Sequence, residues 1–248
     1  VNHFGLIGLS LKHSFSEKYF SNRFEKEQLV ASYRNFELPN LEGLSKLISE
    51  KQLSGFNVTI PFKEKIIQHM DSISPEAEAI GAVNCVKIIN GQRFGYNTDY
   101  IGFEKSFLNQ ISVQQKENLQ ALICGTGGSS KAVQYSLSTN QIPYLLVGRN
   151  SSNKSVTYSD LNQQIIETHR MIINTTPVGM YPNTNDLLPL PYQFITPHHF
   201  CNDLIYNPEM SSFLKKSSNQ GATTKNGLEM LYIQADESYK IFLKKESY

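Results

Sequence analysis

The order of apolar and polar stretches predicts an α/β protein of two domains, and two observations carry that prediction. From Phe4 to roughly residue 100, short apolar runs alternate with segments of helical periodicity, the pattern of a sheet flanked by helices. At Leu119–Lys131 the chain then reads LQALICGTGGSSK, an apolar run that ends in Gly125-Thr-Gly127-Gly128-Ser-Ser130 and passes into helix-compatible Lys131-Ala-Val133. A strand, a tight glycine turn and a helix in that order hold a dinucleotide pyrophosphate on the backbone N–H groups at the helix start. Ser130 stands where that fingerprint has its third Gly or Ala. It is small enough to keep helix and strand close; a glycine turn in another kind of α/β domain is the lesser alternative.

Taken in order, Phe4–Leu9 is an apolar strand, and Ser10-Leu-Lys-His-Ser-Phe-Ser16 is the polar segment that leaves it. Ser14 or Ser16 can cap the helix that follows through Tyr19, Phe20 and Phe24. Tyr33–Leu38 is a second strand, followed by a helix through Leu41, Leu44, Leu47 and Ile48, and Phe56–Val58 is a brief third strand. Pro61 sits where a helix through Ile66 and Ile67 can begin, since proline suits a first helical position. After a short Pro75–Ile80 helix, Asn84–Ile89 and Phe94–Tyr96 flank Asn90-Gly91 as a hairpin. Asn97-Thr-Asp99 closes this domain and caps a helix through Ile101, Phe103 and Phe107, and polar Asn109–Asn118 bridges to the glycine turn. Tyr144–Val147, Met171–Asn174 and Phe200–Leu204 are further strands, and Ser151–Thr157 is polar and loop-like. Leu187–Pro197 is proline-rich and takes no assignment, while Asn226–Leu243 is a helix with Leu228, Leu231, Tyr232, Ala235, Tyr239 and Phe242 on one face.

Composition narrows the function. Lys and Arg total 23 against 22 acidic residues, with no long block of either sign, so no nucleic-acid partner is implied. Cys85, Cys124 and Cys201 lie in apolar runs, as reduced buried cysteines do. No run resembles a signal peptide or a membrane span, which leads to the expectation of a cytoplasmic protein without membrane association.

Beyond the Tyr144–Val147 strand comes Gly148-Arg149-Asn150, where an NAD-binding fold places an acid for the ribose hydroxyl. An arginine there, with Ser151, Ser152 and Lys154 nearby, can pair with a 2′-phosphate, so NADP is favoured over NAD; a solvated surface arginine is the plainer reading. In the first domain, Ser14, Ser16 and Asn57-Val-Thr59-Ile-Pro61-Phe-Lys63 offer hydroxyls, an amide and an ammonium. A small molecule bearing a carboxylate and several hydroxyls needs such a set, although the serines taken alone read as helix caps. Lys63 in the first turn of the expected helix would have its pKa pushed down by the dipole, whereas Asp99 at another helix start would stay ionised. Such a pair can protonate a developing alkoxide, although sequence separation shows no contact. The histidines make no metal site, and His13 beside Ser14 lacks the elbow of a Ser–His nucleophile.

Several motifs in order make the chain resemble the shikimate dehydrogenase family over almost its whole length. They are Leu11-Lys-His-Ser-Phe-Ser16, Asn57-Val-Thr-Ile-Pro-Phe-Lys63, Gly81-Ala-Val-Asn84, Gly95-Tyr-Asn-Thr-Asp99 with Gly102, the glycine turn, Asn174-Thr-Thr-Pro-Val-Gly-Met180, Asp203-Leu-Ile-Tyr206 with Pro208, and Gly227-Leu-Glu-Met-Leu231 with Gln234. The resemblance implies reversible NADPH-dependent reduction of 3-dehydroshikimate to shikimate. It implies an N-terminal α/β substrate domain (1–101 and 225–248), a Rossmann-like NADP-binding domain (102–224), and a C-terminal helix packing back on the first. By the same likeness, Ser14, Ser16, Asn57, Thr59, Asn84, Asp99, Tyr206 and Gln234 surround the substrate, and Lys63 and Asp99 are the catalytic pair. Gly125, Gly127, Gly128 and Ser129 cradle the pyrophosphate, Arg149 meets the adenosine phosphate, and Thr175, Val178, Met180 and Gly227 approach the nicotinamide. Three departures stand out: Cys85 replaces the usual Thr, Glu17 the usual Pro, and Gly148-Arg-Asn150 the usual Asn-Arg-Thr. A quinate/shikimate dehydrogenase with relaxed cofactor use, and a catalytically silent sensor, are the alternatives; monomer and homodimer both remain open.

Overall fold

The computed structural model describes residues 1–11, 14–112, 118–150 and 155–244. His13, the serines and lysine at 151–154, and half of the polar 109–118 bridge therefore lie outside the described residues. The chain forms two compact units, Val1–Thr98 with Gln234–Tyr248, and Asp99–Ile233.

The first unit is a six-stranded mixed sheet, order β2-β1-β3-β5-β6-β4. β1 (Asn2–Gly8) pairs in parallel with β2 (Ala31–Glu37) and β3 (Leu53–Val58). β3 runs antiparallel to β5 (Cys85–Ile89), which turns at Asn90-Gly91 into β6 (Gln92–Tyr96). Both turn residues have positive φ, 51° and 82°, as a tight two-residue hairpin requires, so this hairpin was readable from the Asn-Gly pair. β4 is the short Ser72–Ile73. Helices α1 (Ser16–Lys26), α2 (Leu44–Lys51) and α3 (Pro75–Ile80) pack on it. Alternation along β1 sends Phe4 and Leu6 to one core, shared with Phe20, Phe24 and Phe242, and Ile7 to the other, with Phe56 and Ile66.

The second unit is a wholly parallel sheet, order β12-β11-β10-β7-β8-β9. Its strands are β7 (Ala121–Cys124), β8 (Tyr144–Gly148), β9 (Ser155–Thr157), β10 (Met171–Asn174), β11 (Phe200–Asp203) and β12 (Thr223–Lys225). Counted from the start of this unit the spatial order is 3-2-1-4-5-6, the doubly wound dinucleotide-binding topology. β7 and β10 are buried at every residue, and their side chains alternate between two cores: Ala121, Ile123, Met171 and Ile173 on one face, Leu122, Cys124 and Ile172 on the other. Helices α4 (Asp99–Ser106), α5 (Gly128–Thr139), α6 (Gln163–Thr168) and α7 (Ser212–Ser218) belong to this unit, and α8 (Leu228–Leu243) passes from it into the first at Ile233–Gln234.

Several expectations are corrected. No helix starts at Pro61; a five-residue 3-10 helix spans Lys65–His69, because the Lys63 carbonyl accepts from Val83 N at 2.8 Å instead of from the next helical turn. Neither Ser14 nor Ser16 is the N-cap of α1; Phe15 takes that place, and the Ser14 hydroxyl accepts from Ser16 N at 3.2 Å. Ser155–Thr157 is a strand rather than loop, paired in parallel with β8, and its single apolar residue gave no alternation to read. The unit boundary falls at Thr98–Asp99, ahead of the polar bridge, since α4 packs in the second unit with Ser136 Oγ donating to Tyr100 O at 3.2 Å. On α8 the buried residues are Met230, Ala235, Ser238, Tyr239 and Phe242; Leu228 and Tyr232 are exposed at 39% and 45%. No helix among the described residues is long and apolar enough to cross a membrane, and no group of His, Cys, Asp or Glu among them is arranged to hold a metal.

Candidate functional site

The sequence-derived site residues divide between the units. Ser14, Ser16, Asn57, Thr59, Lys63, Asn84 and Gln234 belong to the first; Asp99, the glycine turn, Arg149, Thr175, Val178, Met180, Tyr206 and Gly227 belong to the second.

In the first unit β3 ends at Val58 and β5 begins at Cys85, so Asn57 and Asn84 lie side by side where the two strands meet. Both are buried, at 6% and 3% exposure, in a sheet otherwise packed with apolar groups, and burial obliges each to find hydrogen bonds. Asn57 Oδ1 accepts from the Tyr33 hydroxyl at 2.9 Å, and its Nδ2 donates to Asn84 O at 3.2 Å and to Ser238 Oγ at 2.8 Å. Asn84 Oδ1 accepts from Thr98 N at 2.7 Å, while Asn84 Nδ2 donates to Thr98 Oγ1 at 2.9 Å and reaches Gln234 Oε1 at 3.5 Å. One polar chain therefore runs from the Tyr33 hydroxyl through Asn57, Ser238, Thr98 and Asn84 to Gln234. Three of the expected residues, Asn57, Asn84 and Gln234, are thereby connected, and Ser14 and Ser16 pair with each other. Tyr33, Thr98 and Ser238, which do the connecting, went unnoticed in the sequence; the one available signal was Ser238 lying a helical turn beyond Gln234.

Thr59 and Lys63 follow β3 in a turn closed by Phe62 N donating to Thr59 O at 2.9 Å. Lys63 is half-buried and precedes the 3-10 helix, so the expected effect of a helix dipole on its ammonium has no helix to come from. Glu17, in the place of the family's proline, accepts from Asn35 N at 3.2 Å and tethers α1 to β2.

In the second unit the topological switch point lies between β7 and β10, and the turn after β7 meets the loop after β10 there. Gly125 has φ +117° and a Cβ on it would stand 2.5 Å from Thr175 Oγ1, so the turn tolerates only glycine. Thr175 donates through N and Oγ1 to Cys124 O, at 2.9 and 2.7 Å, fastening the loop to β7. Gly127 is the N-cap of α5 and no side chain caps the helix; a Cβ on Gly127 would meet nothing within 4 Å. Ser130 Oγ donates to Gly125 O at 2.7 Å, so the serine in the third fingerprint position closes the turn. Arg149 is exposed just beyond β8. Gly227 is packed so that a Cβ would overlap the Leu204 carbonyl, which gives this glycine a packing role.

A carboxylate that the sequence reading passed over organises the loops bearing Val178, Met180 and Tyr206. Asp203, fully buried at the end of β11, accepts from Asn174 Nδ2 and Ile205 N at 3.0 Å each and from the Ser211 hydroxyl that caps α7. Asn174 in turn accepts from Thr176 N and Oγ1 at 2.9 and 2.7 Å and donates to Val178 O at 3.3 Å. Burial, only partly offset by the bonds from Ser211, Ile205 and Asn174, pushes the Asp203 carboxyl up to about 6. Asp99 is the first residue of α4 and is buried at 5% exposure, as its expected place at a helix start requires.

A doubly wound sheet with a glycine turn at its switch point, joined in one chain to a unit rich in buried hydroxyl and amide groups, defines an oxidoreductase of the dinucleotide-binding class. Comparison with known proteins narrows the class. Residues 6–86 match the model of the shikimate dehydrogenase substrate binding domain. The NADP(+) shikimate dehydrogenase of Methanococcus maripaludis strain C7 is 37% identical over 96% of this chain and 90% of its own. The crystal structure of shikimate dehydrogenase from Aquifex aeolicus superposes with a TM-score of 0.87 at 33% identity, covering 100% of this chain and 94% of that one. The shikimate 5-dehydrogenase of Thermus thermophilus, solved with NADP(H) and shikimate, gives 0.85 at 28% identity, with 98% and 94% covered. The chain belongs to the shikimate dehydrogenase family.

Proposed function

We propose that the chain catalyses the reversible NADPH-dependent reduction of 3-dehydroshikimate at its C3 carbonyl to give shikimate. The observation that carries this reading is the chain of hydroxyls and amides from Tyr33 to Gln234, an environment suited to a ligand bearing several oxygens. The Thermus relative that binds shikimate and NADP(H) supports it. In this reading the first unit holds the substrate and the second the cofactor.

The second unit fits NADP on its own observations. The open space beyond Gly127 admits a pyrophosphate to the start of α5, the left-handed Gly125 shapes the turn, and the exposed Arg149 has no carboxylate neighbour in Gly148–Asn150 to repel a 2′-phosphate. Gly125, Gly127, Gly128 and Ser129 would hold the pyrophosphate, Arg149 the 2′-phosphate, and Thr175, Val178, Met180 and Gly227 the nicotinamide end, where the bound cofactor supplies the hydride.

Ser14, Ser16, Asn57, Thr59, Asn84, Tyr206 and Gln234 orient the substrate by matching its carboxylate and hydroxyls. The Lys63 ammonium donates a proton to the carbonyl oxygen as it becomes an alkoxide, and takes it back in the oxidative direction. Asp99 would keep that ammonium aimed at the oxygen. Replacing Lys63 by Ala is expected to lower kcat roughly 10²- to 10⁴-fold while shikimate affinity changes only a few-fold. Turnover equal to the unaltered protein would remove Lys63 from the chemistry.

A further inference from the structure

Ser238 has no role in the reaction described above, yet it sits among residues that do. It lies one helical turn beyond Gln234 on α8 and is 0% exposed. Its Oγ accepts from Asn57 Nδ2 at 2.8 Å and stands 3.2 Å from Thr98 Oγ1.

The consequence falls on Asn57. Its Nδ2 has two hydrogens, and both are committed, one to Ser238 Oγ and one to the Asn84 carbonyl. Turning the amide over would set its carbonyl oxygen against the Asn84 carbonyl oxygen, so the orientation is fixed by chemistry. Oδ1 accepts one bond, from the Tyr33 hydroxyl, and keeps a second lone pair. Asn57 can therefore offer a ligand an acceptor and no donor. We propose that Ser238 is a positioning and specificity-determining residue: by holding both Asn57 amide hydrogens away from the ligand together with Asn84 O, it makes Asn57 select a ligand hydroxyl, which donates, over a carbonyl or carboxylate oxygen, which cannot. This rests on the reading of Asn57 as a substrate residue.

The test is steady-state oxidation by NADP+ of shikimate and of its two analogues lacking the 4- or the 5-hydroxyl, with the unaltered protein, S238A and S238C. Activity of the unaltered protein on shikimate establishes the underlying reading; its absence overturns that reading and this inference together. Given that activity, the unaltered protein should disfavour one of the deoxy analogues by about thirtyfold or more, as a site built around a hydroxyl does. S238A, which releases one Asn57 hydrogen, should lose on the order of tenfold in kcat/KM for shikimate, mostly in KM, and its discrimination against that analogue should shrink by at least about threefold. KM for NADP+ should stay within about twofold, which general loosening of the fold would not allow. S238C, whose thiol is a weaker acceptor of similar size, should fall between, and carries the test if S238A does not fold. Unchanged kcat/KM for shikimate in S238A, or an equal loss on shikimate and both analogues, overturns the proposal.

Discussion

Asp203 shows how a single buried side chain links stability to pH. Its folded pKa of about 6 lies above the ordinary 3.8, so the native state binds a proton more readily than the unfolded chain. The Asp203 contribution to stability is therefore fully present below the ordinary value and is lost as pH rises from there through about 6, by an amount on the order of 3 kcal/mol. Urea unfolding at a series of pH values should show that decline, and D203N should flatten it, because an amide still accepts from Asn174 and Ile205 without a charge to desolvate. D203A should be less stable than D203N at every pH, since Asn174 Nδ2 and Ile205 N lose their acceptor. An unaltered slope in D203N would show that Asp203 is not the titrating group. Residues of this kind were poorly legible in the sequence. Asn57 and Asn84 stood out as polar groups at strand ends, but Asp203, Thr98 and Ser238 lie among residues whose spacing says only strand, turn or helix.

At the scale of elements, the glycine turn separates fold from ligand. G125A forces a Cβ into left-handed backbone and against Thr175 Oγ1, and should cost about 1–3 kcal/mol in thermal or chemical unfolding. Gly127 has φ −86° and open space beyond it, so G127A should unfold within about 0.5 kcal/mol of the parent. It should nonetheless weaken NADP+ binding about tenfold or more, since the methyl occupies the approach to the helix start. Equal NADP+ affinity in G127A would take the pyrophosphate away from this turn. The turn was legible because strand, glycine and helix signals coincide over a few residues. The segment after Pro61 misled for the converse reason: a proline can open a helix, but here the Lys63 carbonyl is claimed by Val83, a long-range bond that no local pattern announces. The face of α8 was half legible, since Ala235, Tyr239 and Phe242 meet a core whereas Leu228 and Tyr232 are exposed.

For the molecule as a whole, three buried thiols report on opening. Burial pushes Cys85, Cys124 and Cys201 each up to about 12, which leaves almost no thiolate at neutral pH. A thiol reagent such as DTNB should therefore titrate none of the three in the native protein and all of them in denaturant; prompt reaction of one would show that its unit opens locally. The two-unit architecture itself was legible from alternating elements and the glycine turn, while the passage between the units at Thr98–Asp99 was hidden because only Asn97 and Thr98 separate the last strand of the first sheet from α4. The central claim, an enzyme of this family acting on shikimate with NADP, is tested most directly by steady-state rates of the purified protein with shikimate and quinate, each with NADP+ and NAD+. The account predicts the highest kcat/KM for shikimate with NADP+; a higher value with quinate or with NAD+ would contradict it.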